Sequence, residues 1–442
     1  MTDFFAARSQ MALSLAFHMV FATAGIGMPM LMLIAEGLGM KTGNPVWNQL
    51  AKKWAKATAI LFAVGAVSGT VLSFELGLLW PGFMEFAGPI IGMPFSLEGF
   101  AFFFEAIFLG LYLYGWKKIP PLGHWFTGLG VLVCGTLSGA FVVCANAWMN
   151  TPAGFTLDES GNILSVDPWV AMFNPSSFGQ ALHMTVAAFL ATGFAAAALH
   201  AWMLLKRPND DFHRRGLALA LTVGFIFTAL QPVTGHVIGE AVAHHQPVKF
   251  AALEGHWETQ TQASFIVGGW PDEAAEETRW GLEIPYLLSF MAFSDIDAEV
   301  MGLKDVDVED RPPVLVTRMA YQLMLFTMVY MGAVTFLGMA LLIWKRRVPL
   351  NRWYLMLLVS NGPMGIIGIE AGWTATEVGR QPWVIYNVMR TADAVTPMPG
   401  LVVPFTVMTI LYLVLSVLTV LLLRRQFMHS PTLDVREDSI ES

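Results

Sequence analysis

The chain has 442 residues, of which 55% are hydrophobic and only 13% are charged, and its mean hydropathy is +0.57. Soluble domains carry about 25% charged residues, so this composition excludes an ordinary soluble domain and indicates a polytopic membrane protein. The net charge is −8, and the lysines and arginines do not form a basic stripe along the sequence. We therefore expect no nucleic-acid partner.

Nine apolar runs are long enough to cross a bilayer, which takes roughly 20 helical residues. Because backbone polar groups in lipid must be satisfied within the segment, each run predicts a helix and the chain an all-α membrane bundle. The first run is too long for a signal-peptide core and lacks a convincing cleavage site, so we expect it to be retained. In chain order the runs are 11–35, 56–79, 95–115, 125–147, 179–205, 216–238, 316–344, 353–375 and 401–423.

The distribution of basic residues predicts the orientation of these helices. Most of the 25 lysines and arginines lie in the tail and in the loops after the first, third, fifth and seventh runs. Cytoplasmic loops carry the excess of basic residues in membrane proteins. The N-terminus is therefore expected outside and the C-terminus in the cytoplasm.

The apolar runs divide the chain into four parts. Residues 1–238 carry helices one to six, and 239–315 form a long polar segment on the extracytoplasmic side. Residues 316–425 carry helices seven to nine, and 426–442 form a polar cytoplasmic tail. Loops as long as 239–315 are usually functional or disordered.

Ionisable residues inside the apolar runs are the main clue to function. Such residues are expensive in lipid when they are unpaired, and they mark functional sites by default. With the predicted orientation they gather in the outer half of the bilayer, next to the long loop, where they are candidate metal or haem ligands. They are His18, His183, Glu98, Glu105 and Glu370.

Each of these candidates also has a structural interpretation. Glu98 and Glu105 are two helical turns apart and share a face, so they could relay protons, neutralise a buried cation or form a hydrogen-bonded pair. His18 and His183 could be packed histidines rather than ligands. Met324 is one of 26 methionines, and the sequence alone gives it little weight.

Other candidates fit a ligand role less well. Cys134 and Cys144 are expected to be packing residues, and the absence of C-x-x-C-H excludes covalent c-type haem. Glu75 lies near the outer end of its run, where it is expected to reach water. Solvated positions at helix ends or in the tail are expected for four further histidines, His124, His200, His213 and His429. The last four could bind a metal or quinone, although their spacing is not that of a tetrahedral metal site: His236, His244, His245 and His256.

Four motifs are parts of a pattern that covers nearly the whole chain, from about residue 5 to residue 425. They are FHMVFATAGIGM at 17–28, LEGFAFFFEAIFLG at 97–110, KFAALEGHWETQ at 249–260 and EAGWTATEVGRQPW at 370–383. Together they resemble subunit I of the cytochrome bd quinol oxidases, and KFAALEGHWETQ is similar to the quinol-binding loop of that family. The loop motif and GRQPW are specific, whereas the helical motifs alone are weak.

The resemblance implies a low-spin haem b, a high-spin haem b and a haem d, or a haem b in its place. His183 and Met324 would ligate the iron of the low-spin haem, and such six-coordination suits electron transfer because no position is open for oxygen. His18 and Glu370 would ligate the two high-spin irons between them, and which one holds which stays open. Arg380 of GRQPW would suit haem propionates.

The resemblance also implies the roles of two further pairs of residues. Glu98 and Glu105 would lie beside the di-haem site. Lys249 and Glu254 would serve quinol oxidation on the outer side of the membrane, with Glu254 as proton acceptor and Lys249 as hydrogen-bond partner. Oxygen would be reduced to water with protons from the cytoplasm, so a proton gradient forms without pumping.

The implied partners are an oxidase subunit II, a small single-helix subunit, ubiquinol or menaquinol, oxygen and lipid, in a bacterial or archaeal cell membrane. The short loop resembles the short-loop branch of the family, and residues 384–400 are similar to cyanide-insensitive members. Three positions depart from the expected pattern: Gln322, where some members have Arg; Ile366, where some have Trp; and His236, where an acidic residue is expected.

Two other functions stay open. A membrane haem protein without oxygen reduction would be favoured by loss of a high-spin ligand, but His18 and Glu370 are both present. A transporter with a proton-relay pair would leave the 249–260 and GRQPW motifs unexplained. Haem–copper oxidases and bc-type cytochromes b are excluded, because both need more histidines at membrane depth.

Overall fold

The computed structural model describes residues 1–345 and 350–427. Within these ranges nine helices are long and apolar enough to cross a membrane, which confirms the predicted all-α membrane bundle. The tail predicted for 426–442 lies outside the described residues apart from its first two, and so does His429. We number the spanning helices from first to ninth: Asp3–Thr42, Pro45–Leu79, Pro81–Tyr114, Pro121–Asn150, Ser177–Lys206, Asp211–His245, Val314–Trp344, Arg352–Val378 and Val402–Gln426.

Most of these helices extend beyond the predicted apolar runs. The first helix has 40 residues, about twice what the hydrocarbon core requires, so its polar ends stand outside that core. Local signals set its end and the start of the next helix. Gly43 ends it in the left-handed region at φ 67°, and the Asn44 side chain accepts a hydrogen bond from the backbone N–H of Val46. Pro45 then occupies the first turn, where its missing N–H costs nothing.

The eighth helix is interrupted, although the sequence predicts one continuous run. Its segments are Arg352–Asn361 and Met364–Val378. Pro363 lies at the break, where it cannot donate the hydrogen bond that would continue the first segment. A side chain on Gly362 would collide with Ala198 of the fifth helix, so the break is also a point of close packing. The second segment carries Glu370.

The long polar segment after the sixth helix is ordered. It begins later than predicted, because the sixth helix continues to His245, and it starts with a short helix that we call the loop helix, Pro247–Glu254. A two-stranded antiparallel hairpin follows, Phe265–Asp272 paired with Glu277–Ile284, which we call the loop hairpin. The remaining elements are Leu287–Phe293, Leu303–Asp305, Val308–Asp310 and the short strand pair Gln260–Thr261 with Glu299–Val300.

Two further loops on the same side as the long segment are structured. Between the fourth and fifth helices lie the strands Phe155–Leu157 and Ile163–Val166 and the helix Pro168–Met172. Between the eighth and ninth lie the strands Trp383–Ile385 and Met389–Arg390 and the helix Thr391–Ala394. Arg390 forms an ion pair with Asp310 at 2.6 Å, which joins this loop to the long segment.

Small residues let the central helices approach closely. A Cβ atom on Gly193 of the fifth helix would lie 2.8 Å from the backbone nitrogen of Gly224 of the sixth. The first and ninth helices also meet: the backbone N–H of Leu401 donates to Asp3 at 2.8 Å, and the Tyr412 hydroxyl donates to Ser14 at 2.9 Å. The chain termini of the bundle are thus held together.

Candidate functional site

His183 of the fifth helix faces the sixth helix. Its Nδ1 lies 3.0 Å from the hydroxyl of Thr234, and the Gln231 amide nitrogen lies 3.1 Å from its Nε2. Both neighbours are buried. A histidine that ligates a metal uses one ring nitrogen for the metal and directs the other to a hydrogen-bond acceptor. The Thr234 hydroxyl can orient the ring in this way, and sequence reasoning missed it because threonine is common in such helices.

Met324 of the seventh helix packs against the eighth. A Cβ atom on Gly372 would lie 3.0 Å from the Met324 sulfur, so the absence of a side chain at Gly372 makes room for the thioether. The backbone carbonyl of Met324 accepts a hydrogen bond from the Thr327 hydroxyl at 2.8 Å. Met324 is half-buried.

His18 of the first helix lies against the second. Its Nδ1 is 3.0 Å from the hydroxyl of Ser68. That hydroxyl donates to the carbonyl of Val64 at 3.0 Å, so its oxygen can accept a hydrogen bond from His18. A Cβ atom on Gly69 would lie 3.0 Å from the His18 ring, so a glycine permits this approach. The ring is therefore oriented by a hydroxyl partner, as in the case of His183.

Glu370 of the eighth helix has a buried carboxylate oxygen, Oε1, without a hydrogen-bond partner in the described chain. Most buried polar atoms are hydrogen-bonded, so an orphaned oxygen calls for a ligand. The four proposed iron ligands are not linked to one another by hydrogen bonds within the described residues. None of His18, His183, Met324 and Glu370 hydrogen-bonds to another of the four.

Glu98 and Glu105 both face the fourth helix. Glu98 accepts a hydrogen bond from the Ser138 hydroxyl at 3.2 Å, and a Cβ atom on Gly135 would lie 2.9 Å from Glu105. Glu105 also approaches the first helix, since a Cβ atom on Gly25 would lie 3.9 Å from its carboxylate. The two acids share a face as expected, and within the described residues they do not hydrogen-bond to each other.

Lys249 of the loop helix is buried at the end of the bundle that carries the long polar segment. Its ammonium group donates to the side-chain oxygens of Asn150 at 2.8 Å and Gln246 at 3.2 Å. Burial lowers the pKa of Lys249 to about 7; the positive charge of Arg380 lowers it as well, and the negative charge of Glu377 opposes both. The side chain can therefore change its charge near neutral pH.

Arg380 is buried beside this lysine. It forms an ion pair of 2.5 Å with Glu377, whose other oxygen accepts from the Asn146 amide at 2.5 Å. Two guanidinium nitrogens, Nε and Nη1, have no partner in the described chain. A buried guanidinium with free N–H groups suits a carboxylate ligand. Glu377 was not among the predicted residues, although an acid three positions before an arginine is a recognisable helical pair.

Glu254 ends the loop helix, because Gly255 adopts a left-handed conformation at φ 58°. Burial raises the pKa of Glu254 to about 7, while a hydrogen bond from Tyr321 and the charge of Arg318 oppose that rise. Its Oε2 atom has no partner in the described chain. Arg318 and Tyr321 were missed by the sequence analysis, although an arginine in the first turns of an apolar run was a usable signal.

Several histidine predictions were wrong. His124, His200 and His213 were expected in water, but all three are buried where the helix ends pack together. His124 bonds Glu36 at 2.7 Å, and His200 and His213 approach to 2.9 Å between their Nδ1 atoms.

Glu75 is likewise buried instead of reaching water, and it accepts a hydrogen bond from Gln10 at 2.8 Å. Across residues 1–345 and 350–427, no three or more His, Cys, Asp or Glu side chains are grouped to hold a metal ion. Within these residues the histidines at and beyond the end of the sixth helix, His236, His244, His245 and His256, form no such group.

The chain is similar in sequence and in structure to proteins of one known family. The sequence pattern of the family "Cytochrome bd terminal oxidase subunit I" matches residues 6–431. A relative from Bacillus subtilis (strain 168), named "Putative cytochrome bd menaquinol oxidase subunit I", is 36% identical over 98% of each chain. A second from that strain, "Cytochrome bd ubiquinol oxidase subunit 1", is 29% identical over 96% of this chain and 94% of the relative. The solved structure of bd oxidase from Geobacillus thermodenitrificans superposes with a TM-score of 0.91 at 35% identity, over 97% of this chain and 99% of that one.

Proposed function

The chain belongs to the family of subunit I of cytochrome bd terminal oxidases, and from this premise we propose that it oxidises quinol and reduces oxygen to water. It is a multi-pass protein of the cell membrane, and the family to which it belongs binds haem. The observation that best supports quinol oxidation is the loop helix, where Lys249 and Glu254 are buried and have pKa values of about 7.

The residues in the bundle fit haem. The unpartnered oxygen of Glu370 suits an iron, and the free N–H groups of Arg380 suit a propionate. We assign His183 and Met324 to a low-spin haem b. His18 and Glu370 would hold a high-spin haem b and a haem d, or a haem b in its place. When bound, these groups would supply the electron transfer and the oxygen chemistry.

The residues of the loop helix would handle the quinol protons. A carboxylate with a pKa close to 7 is a suitable general base, so Glu254 would accept a proton from a quinol hydroxyl. Tyr321 would keep the carboxylate in position through its hydrogen bond. Lys249 would donate a hydrogen bond to a quinol oxygen, and residues 239–315 would form the quinol-binding loop.

Glu98 and Glu105 would hold protons on the way to the oxygen-reducing site. Both carboxylates face the fourth helix, and Glu98 already has a hydroxyl partner in Ser138. With the N-terminus outside, the loop helix lies on the outer side and these protons come from the cytoplasm. Quinol oxidation outside and oxygen reduction with inner protons then build a proton gradient without pumping.

The proposed assembly includes further subunits. Family members work with a subunit II, and we propose the same for this chain, together with a small single-helix subunit. Lipid surrounds the bundle, and the substrate is ubiquinol or menaquinol. Because quinols are lipid-soluble, the position of the loop helix at the end of the bundle places the site within their reach.

A spectroscopic experiment tests both the function and the haem assignment. The reduced-minus-oxidised visible spectrum of the purified complex should show a low-spin b band, with quinol-driven oxygen uptake. A far-red chlorin band would indicate haem d, and b-type bands alone would indicate haem b in its place. Absence of any haem signal would overturn the proposal.

Variants locate the low-spin haem within that spectrum. His183→Ala and Met324→Leu should each abolish the low-spin b band, because each removes one of the two iron ligands. Met328→Leu is the matched control, since it makes the same change one turn along the same helix and should keep the band. A normal band in both ligand variants would contradict the assignment while leaving quinol oxidation to be judged by oxygen uptake.

A further inference from the structure

One face of the loop hairpin is apolar and exposed. Val267 pairs with Leu282 across the two strands, and alternation along the second strand places Ile284 on the same face. The side chains of Val267, Leu282 and Ile284 are 43%, 69% and 39% exposed, and that of Trp280 is 85% exposed. Within the described residues nothing covers this group, which is unusual for large side chains placed together.

Trp280 holds this exposed position at a backbone cost. Its φ is 57°, in the left-handed region, where a bulky residue is rarely found. The residue opposite it, Gly269, has φ 81°, so both strands depart from regular extended geometry at this level. Strained backbone of this kind persists where the surroundings compensate, often at sites of interaction. Trp280 lines a shallow surface concavity with Trp270 and Leu315, and most of its surface is open.

The seventh helix fixes the depth of the hairpin relative to the membrane. Arg318 donates to the backbone carbonyls of Ile266 at 2.9 Å and Gly268 at 2.5 Å, and Gln322 accepts from the N–H of Gly268 at 3.2 Å. Gln322 lies two turns inside the spanning helix, about 12 Å from its start. The hairpin therefore stands beside the membrane-spanning part of the protein.

The length of the seventh helix, compared with the thickness of the hydrocarbon core, gives the depth of the hairpin in the bilayer. The seventh helix has 31 residues and is about 46 Å long, whereas the hydrocarbon core is about 30 Å thick. Centred in the bilayer, the helix extends about 8 Å beyond the core at each end. Gly268, held level with Gln322, thus lies near the boundary between headgroups and hydrocarbon.

We propose that the loop hairpin rests in the headgroup region of the adjacent leaflet, with Trp280, Leu282 and Ile284 in contact with lipid. Tryptophan is enriched at this level because its ring is apolar and its N–H is polar. Arg279 on the same strand pairs with Asp272 at 3.0 Å and Glu277 at 2.6 Å. These charges gather at the tip of the hairpin and are satisfied there.

The contact between Arg318 and the loop hairpin also connects the proposed lipid-facing surface with the proposed quinol site. Arg318, which holds the hairpin, also donates to the carbonyl of Leu253 at 3.3 Å, next to Glu254. A lipid-soluble quinol could thus approach Glu254 along the hairpin without leaving the membrane. This consequence rests on the proposed function, whereas the lipid contact of the hairpin does not.

Spin labels on neighbouring residues test the lipid contact. In the full complex in lipid nanodiscs, with Cys134→Ala and Cys144→Ala as background, Leu282→Cys and Glu283→Cys would be labelled with a nitroxide. Adjacent strand residues point to opposite faces, so Glu283 is the matched control. The label at 282 should be relaxed more by oxygen, which concentrates in lipid, and the label at 283 more by a water-soluble nickel complex.

Two results would overturn the proposal. Equal access of the nickel complex to both labels would mean that the face is in water, and protection of the label at 282 from both reagents would mean that another protein subunit covers it. Haem content and quinol oxidation of each variant report whether the complex is intact. If Leu282→Cys does not assemble, Val267→Cys presents the same face from the partner strand, with the same expected result.

Discussion

At the scale of single residues, Lys249 and Glu254 are unusual because both are buried outside the spanning helices and both have a pKa of about 7. The main cause is the same for both, and the two pKa values move in opposite directions. Burial disfavours the charged form of each group, so it raises the pKa of the acid and lowers that of the base. Near neutral pH both groups can change their charge without a large cost, as acid–base chemistry requires.

Quinol oxidation should therefore depend on pH in a bell-shaped manner with a maximum near pH 7. Below this value Glu254 is protonated and cannot accept a proton; above it Lys249 loses its ammonium charge. Glu254→Gln should remove the rising limb and lower kcat/KM by about 100-fold, a typical contribution of a general base. The measurement is quinol-driven oxygen uptake across this range, with haem content as control. A rising limb that survives in Glu254→Gln would assign it to another group.

The sequence predicted the candidate site residues whose type is rare in a membrane, but it did not predict their hydrogen-bond partners. Histidines and acids inside apolar runs stand out because lipid penalises them. Glu377 and Asn146, which complete the surroundings of Arg380, lie near helix ends where polar residues are common. The buried state of His124 depends on Glu36, a residue 88 positions away, and only the fold brings them together.

At the scale of elements, the contact between the fifth and sixth helices positions His183. The two backbones meet at Gly193 and Gly224. Gly193 lies ten residues after His183 on the fifth helix, and Gly224 lies ten residues before Thr234 on the sixth. Backbone atoms cannot rotate away from an added side chain, so this contact sets how closely Thr234 approaches His183. The spacing of the helices thus controls the orientation of a proposed iron ligand.

Gly193→Val should disturb that spacing. Its branched side chain would meet the backbone of Gly224, and overpacking of this kind costs roughly 1–3 kcal/mol. We expect a lower thermal unfolding temperature and a weaker low-spin haem band. Gly239→Ala is the matched control, because nothing lies within 4 Å of a Cβ at Gly239 on the sixth helix. Equal effects of both substitutions would show that the fifth-to-sixth contact is not special.

Hydropathy predicted the number of spanning helices but not their ends or the interruption of the eighth. A 20-residue window reports the hydrocarbon core, whereas the helices continue into the headgroup region. The break at Pro363 could have been anticipated from the proline itself. The loop hairpin could not, because its strands mix Gly268 and Gly269 with charged residues and depend on Arg318 from a distant helix.

At the scale of the whole molecule, the extramembrane elements after the fourth, sixth and eighth helices form one connected layer. The backbone N–H of Tyr386 donates to Met149 at 3.0 Å, and Arg390 pairs with Asp310. Lys249 binds Asn150 at the end of the fourth helix. The proposed quinol site is thus built at a single end of the bundle, as separation of the two half-reactions across the membrane requires.

Vesicles containing the complex should release protons on the side of the N-terminus when quinol is supplied. Quinol gives up as many protons as electrons, so without pumping the released protons should equal the electrons delivered to oxygen. A pH-sensitive dye outside right-side-out vesicles measures the release, and an uncoupler should abolish the gradient. More protons than electrons would demonstrate pumping, and acidification on the opposite side would reverse the predicted orientation.

The pairing of the first and ninth helices has a consequence for biogenesis. Asp3 and Ser14 are each separated by 398 positions from their partners Leu401 and Tyr412. Membrane insertion proceeds from the N-terminus, so these two hydrogen bonds can form only after the segment that begins at Leu401 has been made. A nascent chain truncated before Leu401 would thus leave Asp3 without this backbone partner and the first helix without its contact to the ninth.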